Sequence, residues 1–183
     1  MAAAGPARLC MQSAVLVPVP EAESAIGRLR ARLDRAAGWG VPAHVTVLFP
    51  FVPPDVITGT VIEMAAAAVA SVRAFRCEFA RTGWFGQDVV WLAPEPAAPF
   101  RALTSAVHAM FPGFPPYGGA HADVVPHLTI GDQPGGGSGA LGAAEAEVRS
   151  ALPIQAQVLR AWLMTGAQAP GSWRAIAELP LGK

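Results

Sequence analysis

Two short β-type segments of this chain carry the same pattern, a histidine followed two positions later by a threonine. The first segment is Val41–Phe49 and the second is Val124–Ile130. Each comes after a β-type run and an amphipathic helical pattern, so strand, helix and strand follow one another twice. This repetition predicts an α+β chain whose two comparable halves bring the two histidines together.

The elements around these segments are also predicted in pairs. The β-type runs Ala14–Val19 and Val89–Ala93 precede the two helices, the first of which opens at Pro20 and ends at Gly38. Apolar residues recur at helical spacing in both helices, at Ala22, Ile26, Leu29 and Leu33 and at Phe100, Leu103, Val107 and Met110. The other predicted elements are helices over Asp55–Val72 and Leu141–Leu152 and strands over Phe75–Phe79, Ile154–Val158 and Ser172–Leu179. The glycine-rich link Pro134–Gly139 is predicted to be a plain connector.

Composition favours one folded domain over residues 1–183. Apolar residues make up 52% of the chain and charged residues 14%, which is typical of a chain with a hydrophobic core and not of a disordered one. Thirteen basic residues balance thirteen acidic ones. Because no net charge attracts a long polyanion, we expect no extensive binding of duplex nucleic acid.

The cysteines and the apolar segments predict a cytoplasmic protein without a membrane anchor. Cys10 and Cys77 are too few and too far apart for a disulfide framework or a zinc site. The segment Met1–Val19 lacks a signal-peptide cleavage site, so we expect it to be unprocessed. The uncharged stretch Ala37–Pro54 contains four prolines, which an ordinary membrane-spanning helix would not carry together.

The spacing within each motif places polar side chains on one face of a strand. Alternate residues share a face, so His44 lies beside Thr46, and His127 beside Thr129, while the apolar residues between them face the core. A single motif of this kind is often only a hydrogen-bonded histidine, but two equivalent copies indicate catalysis. Two imidazoles, whose ordinary pKa is about 6.5, suit phosphodiester transfer, in which one group accepts a proton and another donates one. The threonine hydroxyls can hold phosphate oxygens.

These motifs resemble those of the two-histidine phosphoesterase superfamily, whose signature is written HxTx. The matching residues are Pro42–Val47, with the sequence PAHVTV, and Pro126–Gly131, with the sequence PHLTIG. The strand Val89–Leu92 and the spacing of the motifs are similar as well, in particular to the branch of 2′-5′ RNA ligases and cyclic phosphodiesterases.

The resemblance implies a bilobed, duplicated fold in which two antiparallel sheets line a central cleft and the helices lie outside. It implies His44 and His127 as the acid–base pair, Thr46 and Thr129 as phosphate ligands, and no cofactor. By analogy, His127 activates the nucleophile and His44 protonates the leaving oxygen.

The expected function is a metal-independent hydrolase or ligase that acts as a monomer on 2′,3′-cyclic phosphates or 2′-5′ phosphodiester bonds of RNA ends or small nucleotides. The alternative is a non-catalytic module that binds nucleotides or RNA ends. A metal hydrolase is disfavoured because the four histidines lack the close spacings of zinc sites. The physiological substrate and the balance between hydrolysis and ligation stay open.

Other residues are weaker candidates for the site. Tyr117 precedes the second motif and is a candidate cleft-lining residue, although packing alone is an equal alternative. The aromatic residues Trp39, Trp84 and Phe85 are expected in the core or an interface, and Arg81 and Arg160 at the surface. His108 is expected to be structural and His121 to be exposed.

Overall fold

The computed structural model describes residues 10–120, 123–132 and 138–183. The described residues form five α-helices and eight β-strands. The helices are α1 (Glu23–Leu33), α2 (Arg35–Gly38), α3 (Gly59–Ala70), α4 (Ala98–Met110) and α5 (Ser138–Val148). The strands are β1 (Gln12–Pro18), β2 (His44–Leu48), β3 (Phe75–Phe85), β4 (Val89–Glu95), β5 (Leu128–Asp132), β6 (Ile154–Val158), β7 (Arg160–Gly166) and β8 (Arg174–Pro180). The predictions for residues 1–9, for His121 and for most of the link Pro134–Gly139 lie outside the described residues.

The described strands form one antiparallel sheet in the order β6-β3-β4-β5-β2-β1-β7-β8. The two strands that begin at or directly after the histidines, β2 and β5, are therefore neighbours at its centre. They are joined by the pair Val45 and Leu128. The α+β expectation is confirmed, but the structure shows one eight-stranded sheet instead of two, because this pair makes the two four-stranded halves continuous.

The structure differs from the prediction in the first helix and in two strands. The predicted single helix is divided at Asp34, whose extended backbone ends α1 and whose side chain accepts a hydrogen bond from Ala36 N, at 2.9 Å, to cap α2. The strand β7 was not predicted. The predicted tail strands of the two halves, at Phe75–Phe79 and Ile154–Val158, pair with each other within one half of the sheet.

Helices cover the sheet behind the two histidine motifs. The helix α1 packs against β5, and α4 packs against β2, so each of these helices supports the histidine strand of the other half. Val45, Leu128 and Ile130 are fully buried in this core. As predicted from the alternation, the apolar residues of both motifs face the core and leave the histidines and threonines on the opposite, half-buried face.

Candidate active site

His44 is the first residue of β2, and a main-chain carbonyl fixes its ring. Its Nδ1 lies 2.7 Å from the carbonyl oxygen of Pro42. Since a carbonyl can only accept a hydrogen bond, Nδ1 must carry a proton and donate it. In the neutral ring, Nε2 is then the atom with the free lone pair, so His44 can accept or return a proton at Nε2 alone.

His127 directly precedes β5 and has the same kind of partner. Its Nδ1 donates to the carbonyl oxygen of Val125, at 2.7 Å, which again leaves Nε2 as the exchanging atom. The ring of Phe85 meets the His127 ring edge to face, with centroids 4.9 Å apart and an interplanar angle of 88°, and Trp91 lies 6.1 Å away. These contacts and the Nδ1 hydrogen bond hold the ring in one orientation.

Both imidazoles line one cavity of about 570 Å³, here called the main chamber. Other residues around it include Thr129, Phe85, Tyr117, Asp34, Asp123 and Asp132. In the antiparallel register of Val45 and Leu128, one step in each direction sets Thr46 opposite His127 and Thr129 opposite His44. Each histidine is therefore adjacent to the threonine of the other motif.

Tyr117 connects the loop before the second motif to the first motif. Its hydroxyl is hydrogen-bonded to the side chain of Thr46. Its main-chain N–H donates to the carbonyl oxygen of Phe49, at 2.6 Å, and its backbone lies in the left-handed region with φ of 52°. Burial raises the pKa of Tyr117, so its hydroxyl stays protonated and can act as a hydrogen-bond donor at the wall of the main chamber.

Burial disfavours the charged form of both histidines. It is the main cause that lowers the pKa of His44 to about 3, followed by the charge of Arg30, while the hydrogen bond to Pro42 acts in the opposite direction. The charge of His127 also lowers the pKa of His44, so protonation of one ring opposes protonation of the other. Burial likewise lowers the pKa of His127. Both rings are therefore neutral at neutral pH in the unliganded protein, and a bound phosphate anion would favour protonation of one of them.

Two ion pairs lie close to the site, and the sequence motifs predict neither of them. Arg30 is 2% exposed and donates from Nε and Nη2 to Oδ2 of Asp34, at 2.9 and 2.7 Å. It also donates to the carbonyl oxygen of Val41, at 3.2 Å, on the segment that leads into His44. Arg35 pairs with Asp132 at 2.8 Å, across 97 positions of sequence. Only the three-dimensional fold brings these residues to the motifs.

The comparisons with known proteins agree with this fold. The 2′-5′ RNA ligase superfamily matches residues 18–169. The chain belongs to this superfamily. Among solved structures, Escherichia coli LigT complexed with 3′-AMP is 17% identical and has a TM-score of 0.57, with 95% of this chain and 99% of that chain covered. The protein TT0787 of Thermus thermophilus is 16% identical and has a TM-score of 0.66, with 94% and 99% covered.

Among curated proteins, no sequence matches this member of the superfamily. The superfamily match confirms the resemblance to two-histidine phosphoesterases and supports an enzyme of the phosphoesterase type.

The other predicted residues of this superfamily member are distributed as follows. Phe85 was expected in the core or an interface, but it is 37% exposed and lines the main chamber beside His127. Trp84 packs against the core, as expected. Arg81 and Arg160 lie at the surface, where they pair with glutamates. His108 is on α4, outside the main chamber.

No three His, Cys, Asp or Glu side chains of residues 10–120, 123–132 and 138–183 lie close enough together to hold a metal ion. Within the same ranges, no helix is long and apolar enough to cross a membrane.

Proposed function

We propose that this protein is a metal-independent phosphoesterase that acts on 2′,3′-cyclic phosphates or 2′-5′ phosphodiester bonds of nucleotides or RNA ends. The observation that carries the proposal is the pair of histidines on one chamber, each with Nδ1 tied to a main-chain carbonyl and with Nε2 left to exchange a proton. We take the whole chain as one domain whose two half-sheets act as lobes around this chamber.

The proposed reaction places phosphorus between the two Nε2 atoms. One imidazole accepts the proton of the attacking water or hydroxyl, and the other donates a proton to the departing oxygen, so the proton count of the pair is unchanged after each turnover. Thr46 and Thr129 donate hydrogen bonds to the non-bridging oxygens and stabilise the charge of the transition state. LigT has been solved in complexes with 3′-AMP, ATP and NADP⁺, which supports a nucleotide as the substrate here.

Two assignments of acid and base follow from different arguments. Analogy makes His127 the base and His44 the acid. Burial and the charge of Arg30 lower the pKa of His44, which favours the reverse, because His44 is then the ring that stays neutral and keeps a lone pair on Nε2 to accept a proton. The two assignments can be distinguished with a substrate whose leaving group needs no proton, such as a p-nitrophenyl nucleotide diester. It should restore the rate of the variant that lacks the acid and leave the variant that lacks the base inactive.

The function itself is tested by measuring the turnover of nucleoside 2′,3′-cyclic phosphates and 2′-5′-linked dinucleotides in the presence of EDTA. The wild type is compared with His44→Ala and His127→Ala. We expect each variant to lose at least about 100-fold in kcat/KM, as for the removal of an acid–base group. Nucleotide binding without turnover in the wild type would instead support the non-catalytic binding module, and the catalytic roles would be withdrawn.

A further inference from the structure

Glu23, the first residue of α1, is hydrogen-bonded to the segment that precedes His44. Its Oε1 accepts a hydrogen bond from the main-chain N–H of Ala43 at 2.7 Å. The peptide group between Pro42 and Ala43 contains both this N–H and the carbonyl oxygen of Pro42, to which Nδ1 of His44 donates at 2.7 Å. Because that peptide bond is trans, its N–H and its carbonyl point in opposite directions. The carboxylate and the imidazole are therefore attached to opposite ends of one peptide group.

The main chain on both sides of this peptide group is held as well. The carbonyl oxygen of Val41 accepts a hydrogen bond from Arg30 at 3.2 Å. The carbonyl oxygen of Ala43 accepts one from the main-chain N–H of Val19 at 2.8 Å. These contacts fix the plane of the peptide group, so the carbonyl that receives Nδ1 of His44 has a defined direction.

The carboxylate of Glu23 has a defined place beside α1. Gly27 lies one turn further along the helix, and a Cβ there would come to 2.9 Å from Oε2 of Glu23. Glycine thus leaves the space that the carboxylate needs, at a helix position where alanine is the better helix former. The Glu23 side chain is 43% exposed, and its Oε1 lies 3.9 Å from Nη1 of Arg30. Because solvent reaches the carboxylate, its replacement should leave the fold intact.

His127 cannot have an equivalent arrangement. Its Nδ1 donates to the carbonyl oxygen of Val125, and the next residue is Pro126, whose nitrogen carries no hydrogen. That peptide group therefore has no N–H with which to bind a carboxylate. The two imidazoles have the same kind of acceptor, but of the two acceptors only that of His44 can be polarised from its other end.

A carboxylate at the N–H end of a peptide group makes the carbonyl oxygen of that group a stronger hydrogen-bond acceptor. Hydrogen bonds arranged in a chain polarise one another, and a partner with a full negative charge increases the effect. The stronger acceptor favours the imidazolium form of the histidine that donates to it. Burial and the charge of Arg30 act in the opposite direction and lower the pKa of His44. A carboxylate in the position of Glu23 therefore opposes both effects.

We propose that Glu23 is a positioning residue for His44 and that it acts through the peptide group between Pro42 and Ala43. Its carboxylate orients the carbonyl oxygen that holds Nδ1, and it stabilises the positive charge of the ring while Nε2 carries a proton. The proposal rests on the proposed phosphoesterase function for the part that His44 plays in turnover. It holds for either assignment of acid and base, because the ring is an imidazolium at one stage of both.

The experiment compares the wild type with Glu23→Gln, which keeps an acceptor for the N–H of Ala43 but removes the charge. The kcat for adenosine 2′,3′-cyclic phosphate should fall roughly tenfold, the lower end of the loss for an outer hydrogen-bond partner of a histidine, because the carboxylate is partly exposed. The KM should stay within about twofold, because Glu23 does not line the main chamber. Glu23→Ala, which loses the acceptor as well, should be slower still.

A second readout is the NMR signal of the Nδ1–H group of each imidazole in protein labelled with ¹⁵N-histidine, assigned with His44→Ala and His127→Ala. Glu23→Gln should shift the Nδ1–H proton of His44 upfield, toward a weaker hydrogen bond, and should leave that of His127 unchanged.

Glu21→Gln is the matched control. Glu21 is also exposed and also accepts a hydrogen bond from a main-chain N–H, that of Gln157 at 3.2 Å. The control should change neither the kcat nor the two NMR signals. Urea unfolding of each variant checks that the fold is intact.

The outcomes separate the two proposals. Turnover by the wild type, with an unchanged kcat in Glu23→Gln or an unchanged His44 signal, would refute the role of Glu23 and leave the phosphoesterase proposal standing. No turnover of the cyclic phosphate or of a 2′-5′-linked dinucleotide, combined with a shift of the His44 signal alone, would refute the phosphoesterase proposal and support the contact through the peptide group. No turnover and no shift would refute both.

Discussion

Replacing Arg30 by methionine should destabilise the protein more than any other single change of a charged residue described above. Arg30 is 2% exposed and its partner Asp34 is 6% exposed, so the variant leaves a buried carboxylate without its cation. The change also removes the hydrogen bond to the carbonyl oxygen of Val41. Removal of one partner of a buried ion pair typically costs about 3–5 kcal/mol, and we expect Arg30→Met to lose that much free energy of unfolding.

The free energy of unfolding that Arg30→Met loses should be larger at neutral pH than at acid pH. Burial raises the pKa of Asp34 above its ordinary value of 3.8 even beside Arg30, whose charge and hydrogen bonds lower it. Without Arg30, the pKa of Asp34 rises further. A carboxyl with a raised folded-state pKa binds protons more tightly in the folded protein than in the unfolded one, so the folded state gains stability as pH falls toward 3.8. The deficit of Arg30→Met relative to the wild type should therefore shrink toward acid pH.

Urea unfolding of both proteins at about pH 7.5 and about pH 4.5 measures this effect. Arg32→Met is the matched control, since Arg32 is exposed on the same helix and should change the free energy of unfolding by less than about 0.5 kcal/mol. A deficit of Arg30→Met below about 1 kcal/mol at the higher pH, or one that grows on acidification, would refute the account of a buried carboxylate left unpaired.

Three further predictions concern the site and the packing around it. Because burial lowers the pKa of both histidines and turnover needs one of them protonated, kcat/KM should fall about tenfold per pH unit above neutrality, and a maximum on the alkaline side of a pH–rate profile would contradict this. Thr129→Ala should lower kcat/KM by roughly 10- to 100-fold through loss of a hydrogen bond to a charged oxygen, while Thr129→Ser keeps most of the rate in the same assay. Gly83→Ala should cost about 1–3 kcal/mol in urea unfolding, because a Cβ there would come within 3.0 Å of the Trp91 ring. Gly142→Ala, where an added Cβ would meet nothing within 4 Å beyond its chain neighbours and its own helix backbone, should not destabilise the protein.

The sequence predicted the parts of the structure that depend on the local periodicity of apolar and polar residues. The alternation within each motif correctly placed Val45 and Leu128 in the core and the polar residues on the other face. The strand β7 escaped prediction because its apolar residues run together without strict alternation and only Leu159 separates it from β6. No punctuating glycine or proline marks that boundary.

Contacts between distant parts of the chain could not be predicted from the periodicity of apolar residues along the sequence. Phe85 meets His127 because β3 and β4 form a hairpin beside β5, and the pairing of β4 with β5 is a property of the assembled sheet. The same holds for Arg35 and Asp132, which are far apart in sequence. Each residue alone resembles an ordinary surface side chain, so its place at the site follows only from the topology.

The separation of the two histidines is set mainly by packing behind the sheet. In the described residues, the pair Val45 and Leu128 joins the two histidine strands, so the ladder between them contributes few hydrogen bonds. Helix α4 lies behind β2, where the hydroxyl of Thr104 donates to the carbonyl oxygen of Val47 at 2.9 Å, and helix α1 lies behind β5. Each helix thus fixes the histidine strand of the opposite half. Since a displacement of about 1 Å can cost about 100-fold in rate, the proposed catalysis would depend on the helix packing as much as on the motif residues themselves.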